Sequence, residues 1–160
     1  MKKQLRPILF LDIDGVMKPI ATNKFADRQH GFSSVAVEAL RKVVTTTECD
    51  VVISSTWRID QMDKLRDELT VYNLQVVAER IIDVTPILDP TDGPTREDEI
   101  DKWLYEAKFS GRIAILDDEP FQHELGEWLV QTNQEIGLTP AHSSKAIHLL
   151  VSGPVFSYAV

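Results

Sequence analysis

Three short, unbroken apolar runs punctuate the chain, and each ends in polar residues. Ile8-Leu9-Phe10-Leu11 leads into Asp12-Ile13-Asp14-Gly15, Val51-Val52-Ile53 into Ser54-Ser55-Thr56, and Ile113-Ala114-Ile115-Leu116 into Asp117-Asp118. Such runs, free of polar alternation, suit strands buried on both faces, as in a parallel sheet. Gln75 to Ala78 and Trp128 to Gln131 are further strand candidates. Between the strands the pattern takes on a helical period. Ser34 caps a helix with Ala36, Ala39, Leu40 and Val43 on one face. Met62, Leu65 and Leu69 mark a second helix over residues 60 to 69. Thr95 precedes a third, in which Ile100, Trp103, Leu104 and Ala107 form the apolar stripe. Glu97 and Asp98 in its first turn suit the positive end of the helix dipole. A last helix opens at Ser143 or Ser144 and carries Ala146, Ile147 and Leu150.

Strands alternating with helices predict a three-layer α/β fold: a mainly parallel central sheet with helices on both faces. In such sheets a site lies beyond the carboxyl ends of the strands, where the topology switches direction. The places to look are therefore Asp-x-Asp-Gly, Ser-Ser-Thr and Asp-Asp. Residues 83 to 94, with Pro86, Pro90, Gly93 and Pro94, read as a loop. Residues 16 to 34 read as a small flap over the strand ends, which makes the expected cap minimal.

Composition narrows the class. The chain has 160 residues, 43% hydrophobic and 26% charged, which predicts a single folded domain over 1–160. Seventeen Lys and Arg against 25 Asp and Glu leave a formal charge of −8. A surface this acidic argues against extensive nucleic-acid backbone binding, which needs a basic face; a small local anion site stays open. The one cysteine, Cys49, excludes an intramolecular disulfide and a cysteine-based zinc cluster. No apolar run approaches the roughly 18 residues of a membrane helix, and the run after the charged N-terminus is too short for a signal peptide. The expectation is a soluble, cytoplasmic protein.

Asp12 and Asp14, two residues apart just past a buried strand, point to the same face if the chain stays extended. Asp117 and Asp118 add carboxylates at a second strand end. Converging carboxylates repel, and a divalent cation relieves the repulsion. Hard oxygen ligands point to Mg²⁺. Ser54, or its neighbours Ser55 and Thr56, offers a hydroxyl where phosphate oxygens can be held. Arg96 at a helix start suits an anionic oxygen; Lys102 in the same helix is the second candidate, placed behind Arg96 because it sits beside the apolar stripe. Trp57 and Trp103 read as core, and Arg58 divides between a structural ion pair and a substrate contact. The histidines show no ligand spacing, and only His30, in the flap, draws attention.

These motifs resemble the haloacid dehalogenase-like (HAD) phosphohydrolase superfamily. The resemblance rests on Leu9 to Val16, Val51 to Ser54, the helix opened by Arg96, and Ile113 to Asp118, which come in the family's order. Ser54-Ser55-Thr56-Trp57-Arg58, Val84-Thr85-Pro86 and Gly137-Leu138-Thr139 extend the likeness to the HAD domain of Swiss-army-knife RNA repair proteins. The resemblance implies a Rossmannoid fold and a Mg²⁺-dependent phosphomonoester hydrolase acting on a nucleic-acid or nucleotide terminal phosphate. It implies Asp12 as nucleophile and Asp14 as general acid and base. It implies a metal held by Asp12, Asp14 through its backbone carbonyl, and the acidic pair, with Asp118 preferred to Asp117. Ser54 and Arg96 then hold the phosphate. The alternatives are a small-molecule phosphatase or nucleotidase, and a catalytically silent binding module of the same fold.

Overall fold

The strand β1 (Ile8–Leu11) lies at the centre of a sheet, with all four of its residues buried. The computed structural model describes residues 5–20 and 31–158. After β1 come α1 (Ser34–Thr47), β2 (Asp50–Ile53), a 3₁₀ turn (Thr56–Arg58), α2 (Met62–Val71), α3 (Gln75–Ala78) and β3 (Ile81–Val84). A second 3₁₀ turn (Pro90–Asp92) leads to α4 (Arg96–Glu106), β4 (Ser110–Gly111) and β5 (Ile113–Asp117). A third (Glu124–Trp128) precedes β6 (Leu129–Gln131), α5 (Pro140–Ser152) and β7 (Phe156–Ser157). The five-stranded sheet has the order β3-β2-β1-β5-β6, and every neighbouring pair is parallel. β4 and β7 form a separate antiparallel pair.

Alternate residues of the central strands feed two cores. Leu9, Leu11, Val51, Ile53, Ala114 and Leu116 pack with the apolar faces of α1, α2 and α5. Ile8, Phe10, Val52, Ile113 and Ile115 pack with Ile100 and Leu104 of α4. The chain steps outward from β1 to β2 to β3, then returns to the far side of β1 to make β5. Right-handed crossovers put the connecting helices on opposite faces once the direction of stepping reverses. That is why α4 stands alone among the long helices on its side. Continuing the same alternation, Asp12, Ser54 and Asp117 lean toward α4.

Several sequence expectations need correction. Gln75 to Ala78 is helical, because Leu74 and Val77 bury at helical spacing after Asn73 reverses the chain with φ +56°. The strand follows instead as β3, an edge strand whose Ile82 and Asp83 face outward, so the apolar run that would announce it is missing. It takes up the first residues of the expected loop. Ser33 rather than Ser34 caps α1, accepting from the Ala36 N–H. The last helix begins earlier than Ser143: Thr139 and His142 make a capping box and Pro140 occupies the first turn, where its missing N–H costs nothing. Ser143 lies inside α5 and donates to the Ala39 carbonyl of α1 at 3.2 Å. Trp128 belongs to the 3₁₀ turn that precedes β6. The expected flap falls in part on residues 21–30, which lie outside the described residues, as does His30. Among the described residues no helix is long and apolar enough to cross a membrane.

Candidate active site

The register of the sheet builds the site. The ladder continues one residue past β1, β2 and β3: Asp12 N–H donates to Leu116 O at 3.0 Å, Ser54 N–H to Leu11 O at 3.1 Å and Thr85 N–H to Ile53 O at 3.0 Å. Thr85, Ser54, Asp12 and Asp117 therefore stand in one row across four strands, all buried. α4 delivers Arg96 above this row from its first turn. Thr95 and Asp98 form a capping box that fixes where that turn begins. Arg96 Nη1 is 3.7 Å from Asp12 Oδ1, and its Nε is 3.8 Å from Asp117 Oδ2.

Among the described residues, four buried side-chain polar atoms have no hydrogen-bond partner: Ser54 Oγ, Thr85 Oγ1, Asp117 Oδ2 and Arg96 Nη1. All four belong to this row or to the guanidinium above it. Buried polar groups are otherwise almost always paired, and each orphan costs about 1–3 kcal/mol. Their concentration in one place marks a site built for a polar ligand with several oxygens and for a cation.

Asp12, Asp117 and Asp118 each present a carboxylate oxygen within 4.8 Å of the others. Asp118 comes close because Gly15 has no side chain: a Cβ there would sit 2.5 Å from the Asp118 carboxylate, and Gly15 itself holds φ +81°. Thr132 Oγ1 donates to Gly15 O at 2.7 Å and pins the same turn. Asp117 Oδ1 accepts from Glu119 N–H at 2.9 Å, while Oδ2 has no hydrogen bond and only the longer ion pair to Arg96. Three convergent carboxylates with one unpartnered oxygen fit a divalent cation. Both members of the acidic preference thus reach the cluster, Asp117 as well as Asp118.

Burial pushes the Asp12 carboxyl up to about 6; Arg96 opposes the rise and Asp118 reinforces it. Burial, then the charge of Asp12, pushes Asp117 up to about 8. The folded chain therefore holds protons that the unfolded chain releases near 4. The stability linked to this pair is fully present below about pH 4 and is lost as pH rises toward about pH 8. In chelator, the melting temperature is expected to fall from about pH 5 to about pH 9, less steeply in Asp117→Asn. Divalent cation should restore it at the alkaline end. A thermal melt series across pH checks this, and an equal slope in both proteins would disprove it.

Asp14 lies beside the cluster but outside it. Its Oδ2 accepts from Trp57 Nε1 at 3.1 Å. Trp57 is buried, as expected, yet its indole also fixes Asp14. Ser55 is buried, and its Oγ is occupied in accepting from Trp57 N–H at 3.2 Å, which leaves Ser54 as the open hydroxyl. Lys102 is not brought to the site: six residues on from Arg96 it faces another side of α4, about half exposed, and pairs with Glu106 at 3.1 Å.

Arg58 is structural. Its side chain is 2% exposed, its Nε donates to Thr85 O at 2.9 Å and its Nη1 to Ser55 O at 2.9 Å. Nη2 reaches Pro86 O at 3.2 Å and pairs with Glu99, whose other oxygen lies 4.0 Å from Arg96 Nε. The sequence reading missed two residues. Thr85, quoted only within the Val84-Thr85-Pro86 likeness and given no role there, completes the row at the end of an inconspicuous edge strand. Glu97, buried, accepts from the N–H groups of Gln122, His123 and Leu125 and so shapes the loop that follows Asp118. A buried-side glutamate in a helix's first turn was read only as a dipole partner.

A parallel sheet with carboxylates at the central strand ends and a cationic helix start above defines an open α/β class whose site lies beyond the strand ends. Within it, the family described as the HAD domain in Swiss Army Knife RNA repair proteins matches residues 8–143, and the chain belongs to that family. No curated protein and no solved structure matches the chain significantly. Membership gives the chain a HAD-type, phosphohydrolase-like function as its class, and HAD domains generally use a divalent metal.

Proposed function

We propose that this protein is a Mg²⁺-dependent phosphomonoester hydrolase that works through an aspartyl-phosphate on Asp12, with the terminal phosphate of a nucleic acid or nucleotide as substrate. The observation that carries the reading is the convergence of every orphaned buried polar atom among the described residues on one row beside Asp12. Hydroxyls and a guanidinium there are suited to phosphate oxygens, and the three carboxylates are suited to a cation. The family's RNA-repair description supports the substrate class.

In this mechanism a carboxylate oxygen of Asp12 attacks phosphorus as the ester oxygen departs, and the departing oxygen takes a proton from Asp14. Water then attacks the acyl phosphate, returns a proton to Asp14, and frees phosphate and the Asp12 carboxylate. Splitting one displacement into two lowers each barrier, and the proton transfers contribute about 10²–10⁴. Ser54, Thr85 and Arg96 hold the non-bridging oxygens, where charge accumulates. Asp12, Asp117 and Asp118 would hold Mg²⁺, which when bound shields the attacking carboxylate from the phosphate's charge.

The test is phosphate release from an aryl phosphate, from mononucleotides and from oligonucleotides phosphorylated at either end, each with and without Mg²⁺. Turnover that requires Mg²⁺ and favours nucleotide substrates supports the proposal. Turnover of aryl phosphate and mononucleotides alone would favour a small-molecule phosphatase. Failure on every phosphoester would favour a binding module.

Thr85 offers a separate check. Removing its hydroxyl in Thr85→Val takes one hydrogen bond from a charged phosphate oxygen, for an expected loss of about ten-fold in kcat/KM. The same change removes an unsatisfied buried hydroxyl, so the ligand-free melting temperature should not fall. A loss of stability without a loss of activity would remove Thr85 from the site.

A further inference from the structure

Two ammonium groups stand over one indole at the edge of the site. Lys64 Nζ is 5.0 Å and Lys18 Nζ 5.8 Å from the centre of the Trp57 ring. They come from separate elements: Lys64 from the first turn of α2, Lys18 from the turn after β1. That turn fixes Lys18 relative to Asp14, since Gly15 N–H donates to Lys18 O at 2.8 Å and Lys18 N–H to Ile13 O at 3.1 Å. Neither ammonium has a carboxylate within ion-pairing distance among the described residues. Arg6, Arg41, Arg58, Arg96 and Lys102 do, whereas Lys42, Arg66, Arg80, Lys108, Arg112 and Lys145 share the lack but stand over no indole.

An indole face attracts a cation by about 0.5–1 kcal/mol at an exposed site, and one lysine would satisfy it. Two on the same ring lie no farther apart than their two distances to its centre combined, and like charges so placed repel, less as salt rises. In a chain of charge −8, this sets two ammonium groups beside an indole whose N–H already holds the Asp14 carboxylate. Their location gives them a purpose. The indole carries the N–H that holds Asp14, and in the mechanism above Asp14 protonates the leaving oxygen. On that mechanism the group leaving with that oxygen departs on the Asp14 side, where Trp57 and the two lysines stand.

We infer that Lys18, Lys64 and Trp57 form a subsite for a second, unreactive phosphate carried by the leaving group. The substrate class this selects is a phosphomonoester whose alcohol bears another phosphate, as in a nucleoside bisphosphate or in the terminal nucleotide of a strand. The inference rests on the phosphatase reading and narrows it. It also reconciles an acidic protein with a nucleic-acid substrate: the grip is on one neighbouring phosphate rather than along the backbone.

The experiment compares kcat/KM of the full chain and of a Lys18→Ala/Lys64→Ala variant on aryl phosphate, adenosine 5′-monophosphate, adenosine 3′,5′-bisphosphate and an oligoribonucleotide with a terminal phosphate. The expected loss is at least about ten-fold greater on the substrates with a second phosphate than on aryl phosphate, from charge-assisted contacts given up. A preference for the bisphosphate over the oligonucleotide identifies the free nucleotide as the source, and the reverse identifies the strand end. Equal losses on all four substrates, or none, would overturn the subsite. If the unaltered chain hydrolyses nothing, the phosphatase reading fails by itself. The subsite is then judged by Trp57 fluorescence during titration with adenosine 3′,5′-bisphosphate, with Trp57→Phe as the blank. Saturation that weakens about ten-fold in the double-lysine variant upholds it; saturation unaffected by the lysines, or no response, refutes it.

Discussion

Asp12→Asn is expected to reduce phosphate release by about 10⁴-fold or more, the scale on which loss of a covalent nucleophile acts. Asparagine keeps the volume of the side chain and leaves the Leu116 hydrogen bond to the backbone N–H intact, so the end of the central strand keeps its shape. What disappears is a carboxylate oxygen able to bond to phosphorus. The change should also raise the melting temperature in chelator above pH 7, because Asp12 is a buried carboxylate held against its ionisation by burial and by Asp118. Activity down and metal-free stability up, in one variant, separates loss of chemistry from loss of fold. Substantial residual turnover would remove Asp12 as the nucleophile while leaving it a place among the metal ligands.

Arg58→Ala should be the most damaging single change to stability outside the two apolar cores, at about 3–5 kcal/mol. The guanidinium is 2% exposed and holds three backbone carbonyls and the Glu99 carboxylate at once. Its removal leaves the mostly buried Glu99 carboxylate with only Arg96, 4.0 Å away, and takes the side-chain partner from the carbonyls of Thr85 and Pro86; Ser55 O keeps its bond from the backbone N–H of residue 58. Adding Glu99→Ala should recover part of the loss, because that carboxylate is then gone. Denaturant midpoints of the two single variants and the double variant measure this coupling. A cost below about 1 kcal/mol for Arg58→Ala would show that the pair behaves like an exposed one.

Much of the site could be read before its geometry was known, for a physical reason. β1, β2 and β5 are buried on both faces, so their apolar runs stand out, and the polar residue ending each run marks the strand end directly. Asp12, Ser54 and Asp117 were legible in this way. Thr85 was not, because β3 is an edge strand: one side of its ladder has no partner and Ile82 and Asp83 face outward. The nature of α3 was hidden as well, since Gln-Val-Val-Ala has no period long enough to tell a turn of helix from a strand. Arg96 and Lys102 could be ranked only by their place in the helix, and the ion pairs of each settle which one faces the row. The role of Trp57 was out of reach, because nothing in local spacing brings an indole to a carboxylate 43 residues away.

The seat of Arg96 between Asp12 and Asp117 makes cation and anion occupancy interdependent. A guanidinium engaged by two carboxylates has less to offer an oxyanion; one whose carboxylates have turned to a competing positive charge has more. Whatever draws those acids away sharpens anion capture, and by thermodynamic reciprocity the captured anion tightens hold of the competitor by the same factor. On the proposed function, a single side chain would couple the two occupancies without any moving part larger than itself.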